Sequence, residues 1–211
     1  DNILSVISFD GKVDYKDSVL TSGPQILNRK NIYEIWEVQD KVFQEKYNDI
    51  NLSRSKNYIF GFVMIDAGSL NSYEEIKENI RKKYKDFFGI ANQNSMSIIK
   101  IWHYIPQLLK TYADSKTNYS LLCEAREVIY KEKYNDSSFP AATVIGIEGN
   151  KILIYFLAAA CKEYNAIENK RQVSSYDYPQ NIFLEKPMFS RAVSFTDIEG
   201  ADKKIIISGT A

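Results

Sequence analysis

The sequence contains very few of the residues that build metal centres and disulfide frameworks. Among 211 residues there are only two cysteines, Cys123 and Cys161, and one histidine, His103. The cysteines form no CxxC pair, which excludes a cysteine-rich zinc site and argues against a disulfide framework. A single histidine excludes an HExxH motif and any three-histidine site. We therefore predict a protein without a metal or other cofactor, in which these three side chains are structural.

The sequence also lacks an excess of charge and a long apolar run. Lys and Arg number 27 and so do Asp and Glu, so the formal net charge is zero. Nucleic-acid binders and basic membrane-surface helices need a basic excess, so neither partner is expected. The longest apolar run, 152–161, is far shorter than the roughly 18 residues of a membrane-spanning helix. With no basic signal-peptide segment at the start, we expect a cytoplasmic protein.

Aromatic residues are abundant, at 13% with 15 tyrosines, which suits sheet faces and apolar clefts. Alternating patterns predict strands at 3–9, 32–38, 58–65, 96–105, 141–147 and 152–159, the last two joined in a tight hairpin through 148–150. Helices are predicted from Asn71 or Ser72 to Gly89 and over 118–130. The expected fold is α/β of the α+β type, a mixed sheet with helices on one face.

The character of the sequence changes after residue 161. Residues 168–187 are polar and lack apolar periodicity, so they predict an ordered linker that presents polar side chains. New strand-like runs follow at 189–195 and 204–207. We expect a domain over 1–165, a linker over 166–186 that lines a cleft, and the first strands of a second, incomplete domain over 187–211.

Two stretches resemble the Rid/YjgF family. Phe139-Pro-Ala-Ala-Thr-Val-Ile-Gly-Ile, followed by 152–159, is similar to the last hairpin of such a domain. Pro187-Met-Phe-Ser-Arg-Ala-Val and Lys204-Ile-Ile-Ile-Ser-Gly-Thr-Ala resemble the opening of another. The whole of 168–211, with Glu168-Asn-Lys-Arg-Gln-Val-Ser-Ser-Tyr-Asp-Tyr-Pro, more narrowly resembles the chorismatases. Those are two-domain enzymes that cleave the enol-pyruvyl ether of chorismate in secondary-metabolite biosynthesis.

The resemblance implies that the two domains have different roles. Rid deaminases hold the substrate carboxylate with an arginine, where this sequence has Ala142, and carry a glutamate where it has Tyr155. The first domain would then be a scaffold without a deaminase site. The general acid of chorismatases lies in a C-terminal catalytic domain, which we expect beyond residue 211. The product, a dihydroxycyclohexadiene carboxylate or 3-hydroxybenzoate together with pyruvate, stays open.

The resemblance to chorismatases also suggests which residues contact the substrate. Chorismate carries two carboxylates, and arginine binds carboxylates in a bidentate manner, so Arg191 is the first candidate and Arg171 the second. Gln172, Tyr176 and Tyr178 could donate hydrogen bonds, and a Ser-Gly turn after a strand can present backbone amides to an anion. The remaining candidates for substrate binding are therefore Gln172, Tyr176, Tyr178, Ser208, Gly209 and Thr210.

Two other functions compete with a chorismate-cleaving enzyme. A Rid-like domain without its own site could bind a small carboxylate without catalysis, or serve in assembly. A third possibility, an imine deaminase of the Rid type, is disfavoured by Ala142 and Tyr155. Tight chorismate binding without turnover would support the binding domain, and imine hydrolysis would support the deaminase.

Overall fold

A computed structural model describes residues 2–9, 32–70, 72–112, 115–134, 138–179, 185–200 and 202–209. These residues form eleven strands and two α-helices in a mixed, mostly antiparallel α+β arrangement. The strands are β1 (Ile3–Ser8), β2 (Tyr33–Glu37), β3 (Phe43–Tyr47), β4 (Ile50–Arg54), β5 (Tyr58–Asp66), β6 (Ser97–Pro106), β7 (Ala141–Ile147), β8 (Lys151–Ala159), β9 (Cys161–Ile167), β10 (Ala192–Asp197) and β11 (Lys203–Ile207). The helices are α1 (Tyr73–Gln93) and α2 (Asn118–Lys133).

Six strands form the main sheet, in the order β3-β4-β5-β8-β6-β7. Only β6 and β7 pair in parallel, and α2 supplies the crossover that a parallel pair requires. The predicted hairpin between β7 and β8 is therefore wrong, because β8 lies between β5 and β6. Because β7 pairs with one edge of β6, β8 can pair with β6 only along its other edge. The burial agrees, since β8 is buried along nearly its whole length whereas Ile145 of β7 is exposed.

The two helices pack on one face of this sheet in a single apolar core. Ser72 caps α1 by accepting a hydrogen bond from the Glu75 N–H at 3.2 Å, which confirms one of the two predicted caps. The predicted end at Gly89 is wrong. The helix continues to Gln93 because Ile90 and Ala91 extend its buried face. In the described part of the chain, neither helix has the length and apolar character that a membrane span needs.

Two small sheets cover the other face of the main sheet. One pairs β1 with β2, and the other is antiparallel with β10 between β9 and β11. Side chains from β1 and β10 form a second core with aromatic residues of the main sheet, among them Phe60, Trp102 and Tyr155. Three strands, β3, β4 and β9, were not predicted from the sequence. All five residues of β3 are exposed, so this edge strand has no apolar pattern that could reveal it.

The segments on either side of β10 and β11 run along the outer edge of β7. Ser190 forms an isolated parallel bridge with Ala141, and Gly209 forms one with Thr143. The start of β10 and the end of β11 are therefore attached to the main sheet at the same place. This junction positions most of the residues that the sequence suggested for a site.

Candidate functional site

Arg191 lies just before β10 with its side chain held in a fixed orientation. Its Nη2 donates to the Tyr178 hydroxyl at 2.5 Å and to the Val173 carbonyl at 3.4 Å. The guanidinium lies 5.3 Å from the centroid of the Phe189 ring, which adds a cation–π contact. Its Nε is buried and has no hydrogen-bond partner among the described residues. Arg191 thus combines a fixed guanidinium with an unpaired, buried N–H, and a fixed guanidinium is the group that binds carboxylates most specifically.

A short 3-10 turn, Ser175–Asp177, brings the linker to this arginine. The buried Ser175 hydroxyl donates to the Phe189 carbonyl at 2.7 Å and accepts from the Phe189 N–H at 3.2 Å. The Tyr176 ring meets Phe139 edge-on at 5.3 Å and joins the helix-side core. Tyr176 therefore anchors the linker, and Tyr178, two residues later, reaches Arg191.

Glu168 is a member of the site that the sequence reasoning missed. Its Oε1 accepts a hydrogen bond from the Arg191 N–H at 3.4 Å, and its Oε2 is buried without a partner in the described part of the chain. Burial raises the pKa of the Glu168 carboxyl, and Arg191, Ser174 and Ser190 offset part of that rise. A half-buried carboxyl with a raised pKa beside a fixed arginine is typical of a functional site.

The position of Glu168 beside Arg191 follows from the pairing of β9 with β10, and β9 was not predicted from the sequence. In the β9–β10 pair, Ile167 lies opposite Ala192. The next position along each strand brings Glu168 beside Arg191. Because β9 was not predicted, this register was not available. The sequence pattern therefore places Glu168 only within the polar linker.

Ser208 and Gly209 join the site to the main sheet. The Ser208 hydroxyl accepts from the Ala142 N–H at 2.9 Å and donates to the Ser190 carbonyl at 2.5 Å. The Ser208 N–H donates to the Arg191 carbonyl at 2.9 Å. The Gly209 N–H donates to the Thr143 hydroxyl at 3.0 Å, and a Cβ at Gly209 would lie only 2.9 Å from Thr143 atoms. Of the amides suggested for anion binding, those of Ser208 and Gly209 are therefore bonded within the protein.

The remaining candidates are more exposed or lie outside the described residues. Asn169 shapes a turn, because its side-chain oxygen accepts from the Arg171 N–H and its carbonyl from the Gln172 N–H, each at 3.0 Å. The side chains of Arg171 and Gln172 are exposed on that turn. Thr210 lies outside the described residues. The structure thus brings Arg191, Tyr178 and Glu168 together and leaves Arg171 and Gln172 at the surface.

His103 lies in the helix-side core, away from this cluster. Its Nε2 accepts from the Tyr84 hydroxyl at 2.5 Å, and its Nδ1–H donates to the Thr143 carbonyl at 2.9 Å. Burial, reinforced by the charge of Arg126, lowers the pKa of His103 to about 3, so the imidazole is neutral. The prediction of a satisfied structural histidine is confirmed.

The positions that would carry a Rid deaminase site are apolar. Ala142 is buried in β7, and Tyr155 packs among Phe60, Phe62 and Tyr104 in the second core. Within the described ranges, no three His, Cys, Asp or Glu side chains lie close enough to hold a metal ion. The chemistry of the junction thus rests on Arg191, Tyr178 and Glu168.

Comparison with known proteins identifies the family. A family model described as chorismatase FkbO/Hyg5-like, N-terminal, matches residues 34–158, more than half of the chain. The chain belongs to the FkbO/Hyg5-like chorismatase family. The expected family resemblance is confirmed, although the match ends before the junction that holds Arg191.

Longer relatives of this chorismatase-family chain extend beyond the match. A 3-hydroxybenzoate synthase from Streptomyces hygroscopicus is 26% identical over 182 residues, which cover 84% of this chain and 52% of the relative. A chorismatase from the same organism is 29% identical over 180 residues, 84% of this chain and 50% of the relative. The crystal structure of a chorismatase superposes with a TM-score of 0.85 at 25% identity, covering 100% of this chain and 63% of its own. The chain spans about half the length of the curated relatives it matches.

Proposed function

We propose that this chain is part of an enzyme that cleaves the enol-pyruvyl ether of chorismate and releases pyruvate. Membership of the family supports the reaction class, and the names of its relatives include chorismatase and 3-hydroxybenzoate synthase. The observation that carries the proposal is Arg191, whose guanidinium is fixed by Tyr178 and Phe189 and whose main-chain N–H donates to Glu168.

In this proposal the junction binds one end of the substrate. The Arg191 guanidinium pairs with a chorismate carboxylate, and Tyr178 holds the guanidinium in place. Glu168, with its raised pKa, is able to exchange hydrogen bonds with a ring hydroxyl. Arg171 and Gln172 are outer contacts on the surface turn, and Tyr176, Ser208 and Gly209 support the site through packing and main-chain bonds.

In this proposal, the chemical step also needs residues that lie outside this chain. Protonating the methylene carbon of the enol ether needs a carboxylic acid kept neutral in an apolar cleft. We place that general acid in the portion of the relatives that this chain does not span. Residues 1–165 would be a Rid-like scaffold, 166–186 the lining of the cleft, and 187–211 the first strands of a second Rid-like domain. The cytoplasm is the proposed location of the reaction.

Calorimetric titration with chorismate, paired with pyruvate detection, tests the proposal. We expect the chain to bind chorismate, and Arg191→Ala to weaken binding by roughly tenfold or more, the usual contribution of a hydrogen bond to a charged group. Lys170→Ala, which removes an exposed cation of the same linker that has no role in this proposal, is the matched control. Chromatography of the ring product distinguishes the dihydroxycyclohexadiene carboxylate from 3-hydroxybenzoate. Unchanged affinity and turnover in Arg191→Ala would exclude this arginine as the clamp.

A non-catalytic carboxylate-binding or assembly domain is the second candidate. The apolar character of Ala142 and Tyr155 supports it, because the first domain then carries no charged site at these positions. Chorismate binding without pyruvate release, both in this chain and in a protein of the relatives' full length, would favour that function over the enzyme.

A further inference from the structure

A cavity of about 190 Å³ opens where β6 ends, away from the residues proposed to bind chorismate. It lies between the loop 107–112, the start of α2 and the turn between β7 and β8. Its apolar wall is formed by Ile76, Ile105, Leu121 and Ile152. An apolar protein cavity of about 150 Å³ is large enough to bind benzene, so this cavity has room for one six-membered ring.

The polar rim of the cavity is held in place by one amide side chain. The Asn118 Nδ2 donates to the carbonyls of Pro106 and Gln107 at 3.0 and 3.1 Å, and its Oδ1 accepts from the Tyr112 hydroxyl at 2.8 Å. These bonds use both protons of the amide and one of its acceptor positions. The rim is therefore preformed, and the Asn118 amide needs no hydrogen bond from a ligand.

Lys110 is the cation of this rim that lacks an acidic partner. Its Nζ lies 5.5 Å from the centroid of the Tyr112 ring and forms no ion pair within the described part of the chain. By contrast, the nearby Lys77 and Lys116 both pair with Glu124, at 3.0 and 2.5 Å. The ammonium of Lys110 is thus available to an anion at the mouth of the cavity.

A carboxylate lies directly behind two of the lining residues. The Asp66 Oδ1 accepts from the Gly68 N–H at 3.0 Å and from the Asn150 Nδ2 at 3.3 Å, and both of these residues line the cavity. The lining therefore carries the cation Lys110, and a carboxylate, Asp66, lies directly behind two of its residues. A ligand with one negative charge can pair with Lys110, whereas a second negative charge in the cavity would be repelled by Asp66.

We propose that this cavity binds a small cyclic or aromatic monocarboxylate. The ring packs against Ile76, Ile105, Leu121 and Ile152, and the carboxylate pairs with the Lys110 ammonium. The driving force is burial of the ring, and the ion pair supplies orientation and a smaller part of the affinity because Lys110 is exposed. The site is independent of the chorismate site, since chorismate is a dianion and the two sites share no residue.

Titration of the isotope-labelled chain by NMR, with benzoate as the probe and benzamide as its neutral analogue, tests this site. We expect benzoate to shift the amide resonances of Lys110, Asn118 and Leu121, and benzamide to bind more weakly. Lys110→Gln should weaken benzoate about fivefold, within the range of an exposed ion pair, and leave benzamide unchanged. Lys82→Gln, an exposed lysine on α1, is the matched control and should change neither.

A second variant tests the cavity independently of the charge. Ala67→Leu places a larger side chain at the cavity wall and should abolish the binding of both probes, with the dispersed spectrum showing that the fold is intact. Benzoate shifts spread over other surfaces, or equal benzoate affinity in Lys110→Gln and the unmodified chain, would overturn the proposal. A negative result for benzoate binding would not bear on the proposed function, because the Arg191 test uses a different ligand and different residues.

Discussion

The Glu168 carboxylate accepts a hydrogen bond from the main-chain N–H of Arg191. These two residues are the next pair in register after Ile167 and Ala192, which lie opposite each other in β9 and β10. This contact joins the two ends of the segment between β9 and β10. The intervening residues, 169–190, are therefore closed into a loop by the Glu168 carboxylate and the Arg191 main-chain N–H. The same loop returns Tyr178 to the guanidinium of Arg191, at 2.5 Å. A polar site thus arises from strand register rather than from neighbours in sequence.

The contact between Arg191 and Tyr178 predicts a measurable coupling. Tyr178→Phe removes an acceptor from the guanidinium, and Arg191→Ala removes the donor. A hydrogen bond to a charged group stabilises by about 1.5–3 kcal/mol, and the partial exposure of Arg191 places this one at the lower end. A double-mutant cycle measured by urea unfolding should give a coupling of about 1.5 kcal/mol. Strict additivity of the two substitutions would show that the bond contributes nothing to stability.

The raised pKa of Glu168 predicts a pH-dependent cost to stability. Folding favours the neutral carboxyl, so the folded pKa exceeds the unfolded value of about 4.3. The stability of the protein relative to Glu168→Gln should therefore fall as pH rises through the unfolded and then the folded pKa. Urea unfolding of both proteins at pH 4 and pH 7 measures this difference.

Glu163→Gln provides the control for that experiment. Glu163 is an exposed residue of the same strand, β9, so Glu163→Gln removes a carboxylate from β9 without changing a buried group. If the effect of Glu168→Gln on stability were the same at pH 4 and pH 7, the burial of the Glu168 carboxyl would be contradicted.

Local patterns predicted the individual elements of this fold better than their pairing. The Ser72 cap and the structural role of His103 follow from nearest neighbours in sequence, and both are confirmed. The turn through 148–150 was predicted correctly as a turn but wrongly as a hairpin, because the choice of partner for β8 depends on the crossover made by α2. Sequence alone does not show which edge of β6 is paired with β7.

The candidate site shows the same limit. Arg191 and Tyr178 were predicted from their residue types and the family resemblance, and the structure places them in contact. Glu168 was missed because its role depends on the register of β9, a strand with alternating exposure and several charged residues. Lys83 illustrates the converse. It stands among basic residues in the sequence, a pattern typical of a solvated surface, yet its side chain is buried and pairs with Asp49 at 2.5 Å.

The low pKa of His103 predicts a loss of stability in mild acid. The folded pKa of about 3 lies below the unfolded value of about 6.5, so the unfolded chain binds more protons between these values. Stability from this group is complete above pH 6.5 and is lost as pH falls toward 3. At 1.36 kcal/mol per pH unit, roughly 2 kcal/mol should be lost between pH 7 and pH 5.

Unfolding of the unmodified chain and of His103→Gln at several pH values tests this. Because His103 is the only histidine, no other imidazole contributes to the same window. The variant is expected to be less stable at pH 7, since Tyr84 loses its imidazole partner, but to have a flatter pH dependence. Parallel pH profiles for the two proteins would refute the low pKa of His103.

The close approach of β5 and β8 predicts that Gly61 cannot carry a side chain without repacking. Gly61 lies opposite Phe156 in the register, and a Cβ at Gly61 would lie 2.0 Å from the Phe156 ring. That ring also packs against Phe87 at 4.6 Å, so it is not free to move away. Gly61→Ala should therefore destabilise by about 1–3 kcal/mol, the usual cost of overpacking a core.

Two further variants separate this clash from the general effect of replacing glycine. Gly89 lies within α1, and a Cβ added there would meet no described atom within 4 Å outside its own helix and chain neighbours. Gly89→Ala should therefore be neutral or stabilising by up to about 1 kcal/mol. Phe156→Leu should relieve the clash, so the double variant with Gly61→Ala should be less destabilised than the sum of the two single changes. Additive losses would mean that the Phe156 ring is not what excludes a side chain at Gly61.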